Sequence, residues 1–302
     1  MADVTEAGGS QRTLDESPLW LKIAPLLFLL LWSGGYSAVK IGLASIEPIF
    51  FLAVRYVAVL MVLVPAYVIF RPALPASPAA WRHLAVVGLL IQGLYFGGTN
   101  LAIKLGASAA GLALILALQP ILVAVLAPRM VGEPASARIW LGLVLGLAGA
   151  VVAIVAKAQT GDATPSGIVT AAMALLCITA GTLYEKRFGG SHHPIIANGV
   201  QCGVALLVSL PLALATEDCR IQWSWPFVFS LAYLAIGNSI VAMTLLFALV
   251  RRGAAARATA LLFLVPPTSA LIASHLLGET MPPAVWLGMA LAAAGVAIVR
   301  RA

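Results

Sequence analysis

The chain has 302 residues, of which 62% are apolar and 10% are charged. Soluble globular proteins carry about 25% charged residues, and no soluble fold of this length could bury so much apolar surface, so lipid is predicted to surround most of the chain. The net charge of +7 comes from basic residues that stand singly or in pairs between apolar runs, which indicates membrane topology and argues against a nucleic-acid partner.

Apolar windows of about 17 to 25 residues predict the transmembrane elements in chain order. A polar cytoplasmic tail at 1–18 comes first. Ten helices follow it, at 19–39, 49–70, 82–103, 107–127, 137–156, 166–184, 194–215, 225–249, 254–274 and 283–300. No hydrophilic domain follows the first apolar run, which is therefore interpreted as an uncleaved span and not as a signal peptide.

The distribution of lysine and arginine predicts the orientation of these spans. With the N-terminus placed in the cytoplasm, 13 of the 18 basic residues lie on the cytoplasmic side and 4 lie on the outer side. Arg55, within the second span, is the remaining one. Cytoplasmic loops carry an excess of positive charge, so both termini are predicted to be cytoplasmic.

The second half of the chain repeats the first at an offset of 146 or 147 residues. Matching pairs include Lys40–Lys186, Pro48–Pro194, Pro120–Pro267, Glu133–Glu279 and Trp140–Trp286. A repeat of half the chain length predicts two halves of like structure, here 19–156 and 166–300. Because each half holds five spans, an odd number, the second half enters the membrane from the opposite side. Inverted repeats of this kind are typical of transporters that work by alternating access.

The repeated motif resembles a known family. A proline, a Gly-Glu pair and a Trp-x-Gly motif occur in spans four and five and again in spans nine and ten, as Pro120, Gly132-Glu133 and Trp140-x-Gly142, and as Pro267, Gly278-Glu279 and Trp286-x-Gly288. With the ten spans, they resemble the EamA branch of the drug/metabolite transporter superfamily. Over about 19–300 the chain is most similar to its bacterial aromatic amino acid exporters.

The resemblance implies an all-α integral membrane protein whose ten transmembrane helices form two inverted five-helix repeats around a central cavity. Spans five and ten would lie outside the cavity wall. Small residues in span five (Gly142, Gly146, Gly149) and in span ten (Gly288, Ala292, Gly295) predict close helix packing there, within the chain or between chains.

Polar and aromatic residues inside the spans form the predicted substrate-binding set. An unpaired amide in lipid is costly, so these side chains are expected to face protein or water. Amides, hydroxyls and aromatic planes with little charge suit a zwitterion with an apolar side chain. The set is Trp32, Ser33, Tyr36, Gln92, Tyr95, Thr99, Gln119, Asn238, Ser239 and Thr244, and two more amides, Asn198 and Gln201, lie in span seven.

Arg55 is the only basic residue well inside a span, and the residue that matches it in the second half is Gln201. A guanidinium at this depth must be paired or hydrated. Two interpretations stay open: Arg55 snorkels to the outer interface, or it holds a substrate carboxylate or a gate partner. Glu47 and Lys40 are the candidate gate partners on the outer side.

Proline inside a helix removes a backbone hydrogen bond and obstructs the preceding turn. Pro120 in span four matches the Pro266-Pro267 pair in span nine. These prolines either make a fixed kink that shapes packing or make a bend that lines the cavity and helps to gate it. The predicted gating set is therefore Arg55, Lys40, Pro120, Pro266 and Pro267.

Absent motifs narrow the function further. All 11 acidic residues lie in tails, loops or span ends, which weakens the case for a proton antiporter with a mid-membrane carboxylate. The chain has no HExxH, GxSxG or GxxxxGK[ST] motif, so no enzyme activity is predicted. Three cysteines without a CxxC spacing predict neither a metal site nor a disulfide framework, and no cofactor is expected.

The sequence thus predicts a multi-pass exporter of the inner membrane that moves aromatic or other largely apolar amino acids, and related small metabolites, by alternating access. One alternative is an exporter of a different solute, such as a drug or a sugar conjugate. Another is a membrane scaffold that transports nothing. The expected partners are a small-molecule substrate and membrane lipid, and the expected state is a monomer or a weak homodimer.

Overall fold

A computed structural model of the chain describes residues 19–105, 112, 115–157, 164–190, 192–252, 255–277 and 282–302. Within these ranges the backbone is helical apart from short connections, and the β-type contact found there is an isolated bridge between Ile46 and Ile221. The predicted all-α class is confirmed for this part of the chain. The tail predicted at 1–18 lies outside it.

Ten helical elements follow one another along the described ranges. They are α1 (Leu19–Gly42), α2 (Pro48–Phe70), α3 (78–104), α4 (Gln119–Met130), α5 (Ala137–Lys157), α6 (Pro165–Phe188), α7 (Pro194–Thr216), α8 (Trp225–Arg252), α9 (255–277) and α10 (Pro283–Arg300). Three helices change their winding. Helices α3 and α8 become π-helical over Gly88–Tyr95 and Tyr233–Ala242, and α9 is a 3-10 helix over Ala260–Leu264.

Nine helices in the described ranges are long and apolar enough to cross a membrane, and the protein is a multi-pass membrane protein. The described part of α4 has 12 residues, fewer than the roughly 20 that a span requires. The predicted fourth span, 107–127, begins among residues outside the described part. The count of ten spans and the cytoplasmic location of the termini therefore stay predictions.

Proline marks the first turn of seven helices, namely α2, α3, α4, α6, α7, α8 and α10. The first N–H groups of a helix have no partner within it, so a residue without an N–H costs little there. Side-chain caps add to this signal: Ser77, Thr164 and Ser224 each accept a hydrogen bond from a backbone N–H three residues later.

The helix contacts follow the sequence repeat. Helix α3 packs on α6, and α8 packs on α1, which is the same pair displaced by five elements. Likewise α1 packs on α9 and α6 packs on α4. Helices α2 and α5 each pack on their own counterparts, α7 and α10. This arrangement is that of two like halves related by an approximate twofold axis.

Glycines bring α5 and α10 together. A Cβ on Gly142 would lie 2.7 Å from the carbonyl oxygen of Gly295, and one on Gly288 would lie 2.6 Å from the carbonyl oxygen of Gly149. No larger side chain fits at either place. The predicted close packing is thus confirmed as a contact within the chain. The other main contacts of α5 and α10 are with α9, away from the polar interior formed by α2, α3, α7 and α8.

The prolines of α4 and α9 stand where α-helix starts again, not within a continuous α-helix as the sequence suggested. Pro120 is the second residue of α4 and follows a turn at 117–118. Pro266 and Pro267 come directly after the 3-10 segment of α9, in the first turn of the α-helix that begins at Val265. Proline fits the first turn of an α-helix but not its interior. The regular α-helix is therefore interrupted just before the prolines in both α4 and α9.

Candidate functional site

The two π-helical segments occupy matching positions of the repeats. Gly88–Tyr95 in α3 and Tyr233–Ala242 in α8 overlap when the chain is shifted by 146 residues. The shift also superposes two buried amides, Gln92 and Asn238. π-helical turns are rare and frequently lie at functional sites. The paired segments are therefore the first structural sign of a site between the halves.

Helix α2 places Arg55 against the π-segment of α8. Arg55 Nε donates to Ser239 Oγ at 2.7 Å, and Arg55 Nη2 donates to Asn238 Oδ1 at 2.7 Å. The guanidinium carbon lies 4.7 Å from the centre of the Phe96 ring, a cation–π distance. Arg55 is only 4% exposed. It is held inside the bundle and does not snorkel towards an interface.

The partners of Arg55 are neutral. Its two hydrogen-bond acceptors are an amide and a hydroxyl, and the salt bridges within the described ranges do not involve it. Glu47, one candidate partner, instead accepts a hydrogen bond from the backbone N–H of Asp218. A buried cation without a counter-ion is costly. The surroundings of Arg55 therefore favour a ligand group with negative charge.

Aromatic rings from α1 and α3 form a layer next to Arg55. The Trp32 and Phe96 ring centres are 6.0 Å apart, Phe28 stands 5.4 Å from Trp32, and Tyr95 stands 4.8 Å from Phe96. All these pairs are tilted, a favourable geometry for aromatic side chains. The layer offers apolar planes beside a charged group, so it suits a molecule with an ionic head and an apolar body.

The counterpart of Arg55, Gln201, lies on α7 and is fully buried, with both side-chain amide atoms lacking a hydrogen-bond partner. Its Cα lies against α3, since a Cβ on Gly88 would be 2.6 Å from it. One turn further along α3, Gln92 accepts hydrogen bonds from Tyr56 Oη at its carbonyl oxygen (2.5 Å) and at Oε1 (3.3 Å). Gln92 Nε2 has no partner.

Other predicted residues take part in separate contacts between helices. Gln119 Nε2 donates to Thr182 Oγ1 at 3.4 Å, which links α4 to α6. Asn198 Nδ2 donates to Thr244 Oγ1 at 2.8 Å, which links α7 to α8. Each of these bonds satisfies polar groups where two helices meet. They extend the polar interior beyond the Arg55 region.

Two predicted residues, Thr99 and Ser33, are not hydrogen-bonded to the Arg55 network in the described ranges. Thr99 Oγ1 donates to a carbonyl of its own helix, and the buried Ser33 Oγ has no partner. Lys40 is exposed in the last turn of α1. The side chain of Tyr36 lies outside the described part, although its backbone belongs to α1.

One end of the bundle, here called the Glu217 end, is closed by carboxylates. Glu217 accepts hydrogen bonds from the backbone N–H groups of Ile49 (3.1 Å) and Phe50 (2.7 Å), in the first turn of α2. Lys104 Nζ lies 3.2 Å from Glu217 and 3.9 Å from Glu47. A carboxylate is favourable at a helix N-terminus. The loop after α7 is thereby tied to α2.

The acidic residues also act on a thiol at this end. Partial burial raises the pKa of Cys219, and the nearby carboxylates of Glu217, Glu47 and Asp218 raise it further. Both causes disfavour the thiolate. Cys219 has no part in a disulfide or a metal site within the described ranges.

At the opposite end, here called the Glu133 end, charged residues also join loops to helix ends. Glu133 accepts a hydrogen bond from the Ala255 N–H (2.9 Å) at the start of α9 and lies 3.1 Å from Lys186 Nζ. Glu185 lies 3.4 Å from Arg251 Nε. A cavity of about 560 Å³ opens at this end. Contacts between loops and helix ends thus hold the bundle at both ends.

Sequence reasoning missed several residues of this interior and of the two ends. Phe96, Tyr56, Glu217 and Arg251 have no motif around them, and their roles depend on the helix that faces them. The 146-residue shift was a usable signal that Gln92 and Asn238 occupy matching positions. It does not indicate how a helix is wound.

The arrangement of two like helical halves with polar residues between them agrees with a family model. The description of that model is EamA-like transporter family, and it matches the chain twice, over residues 19–155 and 165–301. The chain belongs to the EamA-like transporter family. It is therefore a membrane transporter, and transporters are not enzymes.

Relatives across bacteria support the EamA-like assignment. The uncharacterized transporter YvbV of Bacillus subtilis (strain 168) is 28% identical over 91% of this chain and 90% of the relative. The uncharacterized inner membrane transporter YedA of Escherichia coli (strain K12) is 23% identical, over 89% and 87%. A probable amino-acid metabolite efflux pump of Salmonella typhimurium is 26% identical, over 90% and 92%.

A solved structure shares the fold of this chain. A crystal structure of another protein, 20% identical in sequence, superposes with a TM-score of 0.78 over 94% of this chain and 98% of its own. At this identity the likeness shows the fold alone.

Proposed function

We propose that this EamA-like transporter exports amino acids with aromatic or other largely apolar side chains, and related small metabolites, across the inner membrane by alternating access. The Glu133 end faces the cytoplasm and the Glu217 end faces outward, as the distribution of basic residues predicts. Ten spans cross the membrane, with both termini cytoplasmic. The 26% identical amino-acid metabolite efflux pump and the inner membrane transporter YedA support the substrate class and the location.

The observation that carries the proposal is the neutral surrounding of Arg55. The guanidinium is buried, yet its acceptors are the uncharged Asn238 and Ser239. A substrate carboxylate would supply the missing negative charge through a charge-assisted hydrogen bond. The tilted rings of Trp32, Phe96 and Tyr95 beside it would contact an apolar side chain. Carboxylate and apolar body together describe an amino acid of the proposed class.

Transport in this proposal follows the solute gradient and needs no proton gradient. Within the described spans, acidic residues occur only near helix ends, as with Glu185 in the last turn of α6. Proton-coupled transporters commonly place a carboxylate at mid-membrane. The cell's own excess of amino acid is then the driving force for export.

The test is efflux from proteoliposomes that contain the purified protein. They are loaded with labelled phenylalanine, threonine or glutamate, with and without a pH gradient. We expect phenylalanine to leave faster than glutamate, at a rate that does not depend on the gradient. Release that requires the gradient would contradict the uncoupled mechanism. If folded protein releases none of the three amino acids, the substrate assignment is wrong, and another solute takes its place.

A pair of variants tests the role of Arg55. Arg55→Gln removes the buried charge, and we expect about a tenfold or greater loss of phenylalanine efflux. Arg71→Gln makes the same chemical change at the exposed C-terminal end of the same helix and should transport at the wild-type rate. Equal rates for the two variants would show that Arg55 is structural only.

A further inference from the structure

We propose that Gln92, Asn198 and Gln201 form a second solute subsite, which binds the ammonium and carboxylate groups of a zwitterionic amino acid through uncharged hydrogen bonds. This inference rests on the proposed function and assigns it a second binding position, the amide subsite, named for the three side-chain amides that would form it.

Unpaired buried atoms are the first argument. Gln201 is fully buried and neither Nε2 nor Oε1 has a hydrogen-bond partner. Gln92 Nε2 and Asn198 Oδ1, in side chains that are 0% and 2% exposed, also have none. Buried polar atoms are nearly always paired, because an unpaired one loses its bonds to water without compensation. Four such atoms on two contacting helices indicate a place built for a polar ligand.

The three side chains are connected through the helices that carry them. Gln201 lies against Gly88, one turn before Gln92 on α3, and Asn198 lies one turn before Gln201 on α7. Two of the amides are already oriented by one bond each. Tyr56 donates to Gln92 Oε1, and Asn198 donates to Thr244, so the atoms that remain unpaired are a donor on Gln92 and an acceptor on Asn198.

The chemistry of the unpaired atoms selects the ligand. The amide nitrogens of Gln92 and Gln201 donate, as a carboxylate requires, and the amide oxygens of Gln201 and Asn198 accept, as an ammonium requires. None of the three residues is charged. A purely anionic or cationic solute would be left with an uncompensated charge there, whereas the charges of a zwitterion compensate each other.

The position of the amide subsite follows from the inverted repeat. Gln201 is seven residues from the start of α7, and Arg55 is seven residues from the start of α2. The start of α2 is bound at the Glu217 end, whereas the loop before α7 is bound at the opposite end, where Arg251 donates to Gly190. The two positions therefore lie in opposite halves of the bundle. A solute leaving the cytoplasm would meet the amide subsite first and Arg55 second.

The experiment uses isothermal titration calorimetry to measure the binding of three probes to the purified full-length protein in detergent. The probes differ only in the head group: phenylalanine, 3-phenylpropionate without the ammonium, and phenethylamine without the carboxylate. Gln201→Met keeps the length of the side chain and removes its hydrogen bonds. Ser209→Ala is the matched control, since Ser209 is also on α7, buried and without a partner at Oγ, two turns from Gln201.

We expect Gln201→Met to weaken phenylalanine binding about tenfold, and to weaken the two analogues less, because the zwitterion alone uses both donors and acceptors. Ser209→Ala should bind all three probes as the wild type does. If Gln201→Met does not fold, Gln201→Asn, which keeps a shorter amide, should give a smaller loss of the same kind.

Three results would overturn the amide subsite. Wild-type affinity for phenylalanine in Gln201→Met would show that the amides hold only ordered water. An equal loss for all three probes would show a structural role. In both of these cases the wild type still binds phenylalanine, so only the subsite is wrong. If the wild type binds none of the probes, the amino acid assignment itself fails, and the subsite fails with it.

Discussion

The Arg55 region and the Gln201 region stand at equivalent positions of the two repeats and differ in one decisive way. Arg55 finds Asn238 and Ser239 on the facing π-segment, 2.7 Å from each. The residues at the matching positions of α3 are Gln92 and Gly93, and glycine has no hydroxyl to offer. The Gln201 amide is left without a partner.

A duplicated transporter can thus become asymmetric through very few substitutions. Helix pairing and the π-segments are shared by both halves, so the scaffold keeps its twofold character. Two differences between the matching positions, arginine against glutamine and serine against glycine, leave one region charged and hydrogen-bonded and the other neutral with an unpaired amide. The asymmetry between the two regions therefore depends on a few side chains and not on the fold.

The largest effect is expected from removing the Asn238 acceptor. Asn238→Leu leaves a buried guanidinium with one bond fewer and should lower the free energy of unfolding by about 2–3 kcal/mol, since hydrogen bonds to charged groups are the strong ones. The measurement is thermal melting in detergent. The matched change at the equivalent position of the first repeat is Gln92→Leu. It should lower the free energy of unfolding by less, because it also removes a buried nitrogen that has no hydrogen-bond partner. Equal losses would contradict the stated difference between the regions.

A substitution where α3 contacts α7 is expected to lower the free energy of unfolding by about 1–3 kcal/mol. Gly88→Ala would place a Cβ 2.6 Å from the Cα of Gln201 and 2.8 Å from its carbonyl oxygen, and backbone cannot move aside cheaply. The control is Gly93→Ala in the same π-segment, whose nearest neighbour would be at 3.6 Å. Melting curves should show destabilisation for the first variant only, and a stable Gly88→Ala would mean that the two helices are not in close contact.

In the Arg55 region, Phe96→Leu should lower the free energy of unfolding by about 1–2 kcal/mol. The substitution removes the ring that contacts the guanidinium and leaves a smaller side chain in its place. The exposed Phe229, which pairs with Trp225, is the control for a generic loss of an aromatic ring. Phe229→Leu should leave the melting temperature nearly unchanged. If both variants melt alike, the cation–π contact contributes nothing.

The smallest expected effect is a gain in stability. In the protein without solute, Gln201→Met should raise the free energy of unfolding by about 1 kcal/mol or less, because it removes two unpaired buried atoms from an apolar setting. Sites that bind ligands often trade stability for function in this way. A clear loss of stability, measured by the same melting assay, would mean that the amide is already well paired in the solute-free protein.

The sequence was sufficient to predict the all-α membrane class and the two-fold repeat of the chain. Apolar windows of membrane-spanning length located nine of the helices, and the boundaries differed by a few residues, as with α3, which begins at Pro78 rather than at 82. Prolines and Ser or Thr caps at the first turns mark the helix starts more sharply than the apolar windows did. The glycines of α5 and α10 also indicated their packing, because close approach requires residues without side chains.

The sequence also singled out Arg55, Asn238, Ser239 and Gln92 as buried polar residues, since an amide or a guanidinium in lipid must face protein or water. It could not decide between snorkelling and pairing for Arg55. That choice depends on which helix lies opposite, and Ser239 is 184 residues away along the chain. The tertiary structure alone brings α2 against the π-segment of α8.

Composition, span length and the 146-residue repeat are local or periodic properties, so they were enough to establish a two-halved helical membrane protein. Tertiary structure decided the other features. They are the π-helical winding of α3 and α8, the hydrogen bonds of Arg55, the unpaired amide of Gln201 and the contacts of charged residues at the two ends. The physical reason is that each is a contact between helices far apart in sequence, whose energy depends on distances of a few ångströms.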